Sequence, residues 1–213
     1  MTSIAHGETS PINLSAGWNF VSFPKLPSDT NVATVLNDIS SNVRIVWGYD
    51  NQTEEWKKWK PSTLCSSPSA LCSIEGGKGY WVYMNASGSI DLSSWTTQST
   101  TVSLTEGWNL IGYNGTDNTA VTDALSSISG KWAIIWNWTD GQWSAKHATE
   151  PLTTIPSINT LKQGKAYWIK TTQAVEWNQT IPLSLAIPAG AAVPLIRFFK
   201  LLPQDSSRTP PSL

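Results

Sequence analysis

The order of apolar and polar positions is the same in two separate parts of the chain. Residues 12–14 and 102–104 alternate apolar with polar side chains, and the runs 18–23 and 108–113 are rich in aromatic and aliphatic residues. Both patterns are typical of β-strands. Each part of the chain is therefore predicted to open with two strands.

A short helix is predicted after each pair of strands, because apolar residues recur there at helical spacing. These residues are Val32, Val35, Leu36 and Ile39 in the first part, and Val121, Leu125 and Ile128 in the second. The expected N-terminal caps are Ser28 or Asp29, and Asp117 or Asn118.

A β-hairpin is predicted next, and its turn is clearest in the second part. Asp140-Gly141 is a strong signal for a two-residue hairpin turn. This register places Trp138 opposite Trp143, with Trp136 two residues along on the same face. The equivalent face of the first part would carry Trp47, Tyr49 and Trp56.

Matching segments recur at a nearly constant offset. Gly17-Trp18-Asn19-Phe20-Val21 returns as Gly107-Trp108-Asn109-Leu110-Ile111 at an offset of 90, and Ile45-Val46-Trp47 returns as Ile134-Ile135-Trp136 at an offset of 89. The last predicted strand begins in Gly77-Lys78-Gly79-Tyr80-Trp81, which returns as Gly164-Lys165-Ala166-Tyr167-Trp168 at an offset of 87. Because the offset falls in small steps that land in loops, we interpret the chain as a tandem duplication.

The duplication defines the expected domain organisation. The predicted segments are an N-terminal tail (1–11), a first repeat (12–92), a Ser/Thr-rich linker (93–101), a second repeat (102–178) and an apolar, proline-containing C-terminal arm and tail (179–213). Each repeat of about 90 residues combines one short helix with mostly antiparallel strands, so the expected fold class is mainly β (α+β).

The two ends of each repeat resemble a Trp-rich repeat of secreted and cell-surface proteins of archaea and bacteria. Units of that family often read Gly-Trp-Asn-Leu-Ile-Ser-Leu-Pro near the start and Leu-x-Pro-Gly-Lys-Gly-Tyr-Trp-Ile near the end. The matching segments are 17–24, 77–82, 107–111 and 161–169, and the second repeat departs at Asn114 and Ala166. The resemblance covers about residues 12–178 and implies location and architecture, but no catalytic residue.

The composition excludes several function classes. With 14 basic and 15 acidic residues among 213, no excess of positive charge is available to bind nucleic acid. Two His and two Cys offer no convincing transition-metal site, so neither a metal nor another cofactor is expected. The unusual feature is 13 Trp, which are the main candidates for a site.

The tryptophans carry two competing interpretations. Six of them hold equivalent positions in the two repeats and are expected to pack in a core that each repeat rebuilds: Trp18, Trp47, Trp81, Trp108, Trp136 and Trp168. Alternatively, the hairpin sets Trp136, Trp138, Trp143 and Trp47, Tyr49, Trp56 form flat faces on which a sugar ring stacks, while nearby Asn, Gln and Asp bond its hydroxyls. The tryptophans without a partner in the other repeat are expected at an interface: Trp59, Trp95, Trp132 and Trp177.

Catalysis is not expected. His6 and His147 are the only imidazoles, and neither a Gly-x-Ser-x-Gly elbow nor a phosphate-binding loop is present. A carboxylate pair for glycoside hydrolysis would have to come from Asp50, Glu54, Glu55 and Asp140. These residues lie in or beside hairpin loops, where solvated turn residues are ordinary.

Glycosylation motifs, together with a low lysine content, favour a cell-surface or secreted location. Cys65 and Cys72 enclose a short proline-containing loop and are predicted to form a disulfide, with two free thiols as the alternative. The candidate glycosylation sites are Asn13, Asn51, Asn85, Asn114, Asn137 and Asn178. The first residues lack the pattern of a secretory signal, so we expect a mature or excised piece, or a chain that is not exported.

The C-terminal arm is expected to mediate assembly. Residues 177–196 carry no charge, but Pro182, Pro188 and Pro194 disfavour a membrane-spanning helix. The predicted interface with another copy comprises Ile181, Leu183, Leu185, Ile187, Phe198 and Phe199.

The sequence therefore predicts a non-catalytic extracellular structural protein, a cell-surface or filament building block that assembles through its arm. The alternative is a carbohydrate-binding module that uses exposed Trp platforms. The expected partner is accordingly a further copy of the chain or a surface glycan.

Overall fold

The structure, a computed structural model, describes residues 11–62 and 65–180. The strands of the first half are β1 (Ile12–Leu14), β2 (Gly17–Ser22), β3 (Lys25–Leu26), β4 (Val43–Asp50), β5 (Glu55–Trp59), β6 (Gly79–Met84), β7 (Gly88–Ile90) and β8 (Thr96–Thr97). Those of the second half are β9 (Thr101–Leu104), β10 (Gly107–Gly112), β11 (Thr119–Ala120), β12 (Trp132–Thr139), β13 (Gln142–His147), β14 (Thr160–Leu161), β15 (Ala166–Thr171) and β16 (Val175–Asn178). The predicted mainly β class is confirmed.

Each half is built on a four-stranded antiparallel sheet with the same strand order. The order is β2-β6-β4-β5 in the first half and β10-β15-β12-β13 in the second. The predicted last strand of each half, β6 or β15, lies inside its sheet and pairs with strands on both sides. Four separate two-stranded sheets pair β1 with β7, β3 with β8, β9 with β16 and β11 with β14.

One short helix lies in each half, α1 (Val32–Val35) and α2 (Val121–Ala124), and a single 3-10 turn follows each of them. The apolar residues predicted for these segments are buried in the cores. The predicted caps are wrong, because Asn31 caps α1 and Ala120 precedes α2 without a side-chain hydrogen bond. Asp29 instead accepts from the backbone N–H of Asn31, and Asp117 accepts from the N–H of Gln163.

Each half has its own hydrophobic core on one face of its sheet. Trp59 lies in the first core, and Trp132 and Trp177 lie in the second. Trp177 donates its indole N–H to the carbonyl of Ala124 at 2.8 Å. The predicted interface role of these three residues is therefore wrong, and Trp95 likewise packs against the first core.

The two sheets meet along a seam that includes the small buried cluster of Phe20, Leu110 and Ala166. Backbone hydrogen bonds cross the seam from Ser22 N to Gly164 O at 3.0 Å and from Gly112 N to Gly77 O at 2.9 Å. A Cβ added to Gly79 would lie 2.8 Å from both the Ile111 carbonyl oxygen and the Ala166 Cβ. Glycine at this position thus permits the close approach of the two halves.

The structure refines two of the expected boundaries. Thr96 and Thr97, in the predicted linker, pair as β8 with β3 of the first half. Gln179, assigned to the arm, is buried and donates its Nε2 to the carbonyl of Gly112 at 2.9 Å.

Some of the predicted features lie outside the described residues. His6 and all six predicted arm residues, from Ile181 to Phe199, are among them. Within residues 11–62 and 65–180, no helix is long and apolar enough to cross a membrane.

Candidate ligand-binding groove

The register predicted for the hairpin of the second half is confirmed, and the hairpin of the first half pairs its aromatic residues in the same way. Trp138 lies opposite Trp143, and Tyr49 lies opposite Trp56. Asp140 and Gly141 have φ angles of 52° and 82°, the left-handed conformations that a tight two-residue turn requires. The turn chemistry of the sequence therefore determines which aromatic residues face each other.

Alternation along the strands places the aromatic residues away from the two cores. In β6, for example, Tyr80 and Val82 are buried in the core, so Trp81 between them points to the opposite face of the sheet. That face carries nine tryptophans and Tyr49: Trp18, Trp47, Trp56, Trp81, Trp108, Trp136, Trp138, Trp143 and Trp168. None of the six equivalent tryptophans expected in the cores is buried there.

Two adjoining cavities lie on this aromatic face, and together they form what we call the aromatic groove. The first has a volume of about 500 Å³ and is lined by Trp18, Trp47, Trp56, Trp81, Trp138 and Trp143. The second has a volume of about 490 Å³ and is lined by Tyr49, Trp56, Trp108, Trp136, Trp143 and Trp168. Trp56 and Trp143 line both cavities.

The indole rings of the groove form two files, each of which crosses the seam. The first file is Trp18, Trp81, Trp143 and Trp136, with successive ring centroids 6.0, 6.0 and 6.0 Å apart. The second file is Trp108, Trp168, Trp56 and Trp47, with separations of 6.3, 5.8 and 6.2 Å.

Successive rings in a file are steeply inclined to each other, with interplanar angles from 71° to 90°. The expected flat platform is therefore wrong, because edge-to-face contact is a preferred geometry for aromatic pairs. Each file instead presents corners, in which one ring offers its face and its neighbour offers its edge.

Every side chain that lines the groove is aromatic. The indole N–H of Trp177 takes part in a hydrogen bond, but none of those in the groove does so within the described part of the chain. Their N–H groups are thus available as donors to a ligand. The pKa of Tyr49 is raised, because burial and the nearby Glu54 disfavour the phenolate, so its hydroxyl remains a neutral donor and acceptor.

The polar residues next to the aromatic pairs face the opposite side of the hairpins. Thr139 and Gln142 form the register pair beside Trp138 and Trp143, and Asp50 and Glu55 form the one beside Tyr49 and Trp56. The Thr139 hydroxyl donates to Asn137 Oδ1 at 2.8 Å. Asp50 forms an ion pair with Lys57 at 3.0 Å, which lowers the pKa of its carboxyl to about 2.

Two lysines lie over groove tryptophans. The ammonium of Lys58 is 5.7 Å from the ring centroid of Trp47, and that of Lys170 is 5.9 Å from the ring centroid of Trp108. Each is within the range of a cation–π contact.

No protein-family model, curated protein or solved structure matches this chain. The site must therefore be interpreted from its own geometry.

All six residues of the alternative hairpin faces line the groove. The six tryptophans expected in the cores line it as well, so that expectation is wrong for Trp18, Trp47, Trp81, Trp108, Trp136 and Trp168. Strand alternation shows that Trp81 faces away from Tyr80 and Val82, but it does not show which of the two faces is the core.

The predicted disulfide is wrong for this structure, in which Cys65 and Cys72 are free thiols. Cys65 is exposed and forms a hydrogen bond with Cys72, which raises the pKa of the Cys72 thiol. The loop thus brings the two side chains together without a covalent bond.

Half of the candidate glycosylation sites are inaccessible. Asn51, Asn114 and Asn137 are buried, and the Asn137 amide donates to the carbonyl of Ala166 at 2.9 Å. A glycan acceptor must reach the surface, so these three predictions are wrong. Asn13, Asn85 and Asn178 are exposed.

No cluster of His, Cys, Asp or Glu among the described residues is arranged to hold a metal ion.

Proposed function

We propose that the protein is a non-catalytic carbohydrate-binding module that holds a neutral polysaccharide in its aromatic groove. The observation that carries this proposal is the exposure of the groove indoles. Trp18, Trp56, Trp108 and Trp143 are between 39% and 43% exposed, and they form one continuous apolar surface. Large continuous patches of this kind mark ligand or interaction sites in soluble proteins.

The chemistry of the groove matches that of a sugar ring. One face of a pyranose presents C–H groups, which pack on an indole face, while its hydroxyls require hydrogen-bond partners. The corners of the two files set the face of one indole against the edge of the next, and no indole N–H of the groove takes part in a hydrogen bond within the described residues.

The aromatic lining favours a neutral ligand over an anionic one. Lys58 and Lys170 lie over Trp47 and Trp108, at the two ends of the second file, and neither lysine lines a cavity. All the lining side chains are uncharged, so salt should have little effect on the affinity.

A surface or secreted location, as the repeat resemblance implies, would give such a module access to polysaccharide. Assembly through the C-terminal arm remains a separate prediction, since residues 181–213 lie outside the described part of the chain.

Affinity electrophoresis tests the proposal with gels that contain hydroxyethylcellulose, xylan, galactomannan or laminarin. We expect at least one polysaccharide to retard the protein and Trp143→Ala to abolish most of the retardation. The matched control is Trp143→Phe, which keeps an aromatic face and should keep part of the retardation. Circular dichroism of each variant checks that it is folded.

Two results would overturn the proposal. One is the absence of retardation by all four polysaccharides. The other is that Trp143→Ala changes the oligomeric state in light scattering and leaves retardation unchanged, because the groove is then an interface between copies of the chain.

A further inference from the structure

The two cavities of the groove depend on both halves of the molecule. Trp138 and Trp143 from the second half complete the first cavity, and Tyr49 and Trp56 from the first half complete the second. Neither half alone supplies a complete cavity. The site therefore exists only where the two sheets meet.

The aromatic surface continues across the seam without a gap. The ring centroids of Trp81 and Trp143, on opposite sides of the seam, are 6.0 Å apart, and those of Trp168 and Trp56 are 5.8 Å apart. Neighbouring rings of the same half in these files are 6.0 to 6.3 Å apart. A ligand that follows a file thus meets the same spacing of rings throughout.

The seam also holds the two cavities in a fixed relation. Hydrogen bonds from Ser22 N to Gly164 O and from Gly112 N to Gly77 O join the backbones of the two halves. Phe20 contacts Trp143 across the seam with 6.2 Å between ring centroids, and Tyr49 contacts Trp168 across it with 5.0 Å between ring centroids. A preorganised surface of this kind costs a ligand little ordering of the protein.

We infer that the groove binds a single extended polysaccharide chain across both halves, and not two separate sugars. This inference rests on the proposed function and specifies its ligand class as a linear, neutral chain long enough to reach both cavities. Contacts in the second cavity become intramolecular once the first is filled, so affinity rises with the length of the chain.

The four exposed tryptophans provide the variants for a test. Trp18 lines only the first cavity and Trp108 only the second, whereas Trp56 and Trp143 line both. Isothermal titration calorimetry would use cello-oligosaccharides from cellobiose to cellohexaose, or the matching xylan, mannan or laminarin series if that polysaccharide is the one retained. Glu150→Ala, at an exposed position away from the groove lining, is the control variant.

We expect one long oligosaccharide to bind per protein molecule, with an affinity that increases along the series. Trp18→Ala and Trp108→Ala should each weaken the longest oligosaccharide about tenfold, because each removes one stacking ring from the same bound chain. Trp56→Ala should weaken it at least as much, and Glu150→Ala should have no effect.

The failure of this inference is distinguishable from that of the proposed function. Two long oligosaccharides per protein molecule, with one lost in Trp18→Ala and the other bound as before, would overturn the single-chain site but leave carbohydrate binding intact. The absence of binding to every polysaccharide and oligosaccharide tested would overturn both.

Discussion

The core side and the groove side of the molecule use tryptophan in opposite ways. Eight of the nine groove tryptophans recur at equivalent register positions in the two halves, such as Trp81 opposite Trp47 and Trp168 opposite Trp136. The ninth, Trp138, has Tyr49 as its equivalent. The core tryptophans do not recur. Where Trp177 pairs with Val102 in the second half, Ile90 pairs with Ile12 at the equivalent position of the first half.

This difference shows what each side of the sheets requires. A core must be filled, and either Ile90 or Trp177 can fill it when the neighbouring residues adapt. A surface that binds a ligand requires a particular ring at a particular place. Recurrence of tryptophan therefore identifies the exposed side of these sheets and not their core.

The largest contrast is expected between Trp177→Ala and Trp108→Ala. Trp177 is fully buried, stacks on Tyr113 and donates to Ala124, so its loss should lower the free energy of unfolding by about 3–5 kcal/mol. Trp108 is 39% exposed, and its loss should cost less than about 1 kcal/mol. Urea unfolding followed by far-UV circular dichroism measures both values, and equal losses would contradict the distinction between the two sides.

An intermediate effect is expected at the seam from Gly79→Ala. The added methyl group meets the Ile111 carbonyl oxygen and the Ala166 Cβ at 2.8 Å, so the free energy of unfolding should fall by about 1–3 kcal/mol. Combining it with Ala166→Gly should restore part of the loss, because the clash with the Ala166 Cβ is removed. Denaturant unfolding of the single and double variants tests this, and an undiminished stability of Gly79→Ala would mean that the halves do not approach so closely.

The smallest effect is expected beside the turn of the first hairpin, from Asp50→Asn. Lys57 and the turn backbone lower the pKa of Asp50 from 3.8 to about 2 in the folded protein. The ionised carboxylate therefore stabilises the fold at pH values above 3.8, the ordinary pKa of this group. The contribution is lost as the pH falls through about 2. Since both side chains of the pair are partly exposed, the variant should lose only about 0.5–1 kcal/mol at neutral pH and nothing below pH 2. Unfolding measured across this pH range tests the sign, and a loss that persists in acid would contradict it.

Local features of the fold were predictable from the sequence. The Asp140-Gly141 turn determines the hairpin register, and this register places Trp138 opposite Trp143. Turn geometry and strand alternation depend only on residues that are adjacent in the chain, so both can be predicted from the sequence. The helical spacing of Val32, Val35 and Leu36 likewise identified buried positions correctly. These inferences need no knowledge of the rest of the chain.

Features that depend on distant residues were not predictable in the same way. Alternation in Tyr80-Trp81-Val82 shows that Trp81 faces away from its neighbours, but only packing against the rest of the first half decides which face is the core. The seam depends on contacts such as Gly79 with Ile111, which no local pattern marks. The predicted caps failed because Asp29 and Asp117 bond other backbone groups.

The close spacing of the groove indoles has an optical consequence. Excitation energy passes between like chromophores at a rate that falls steeply with distance, and successive rings of each file are at most 6.3 Å apart. Excited states in the groove are therefore shared among several tryptophans. A quencher that reaches one exposed ring, such as Trp143, would therefore lower the fluorescence of the neighbouring tryptophans in the same file. The fluorescence of the groove reports on each file as a whole and not on single residues.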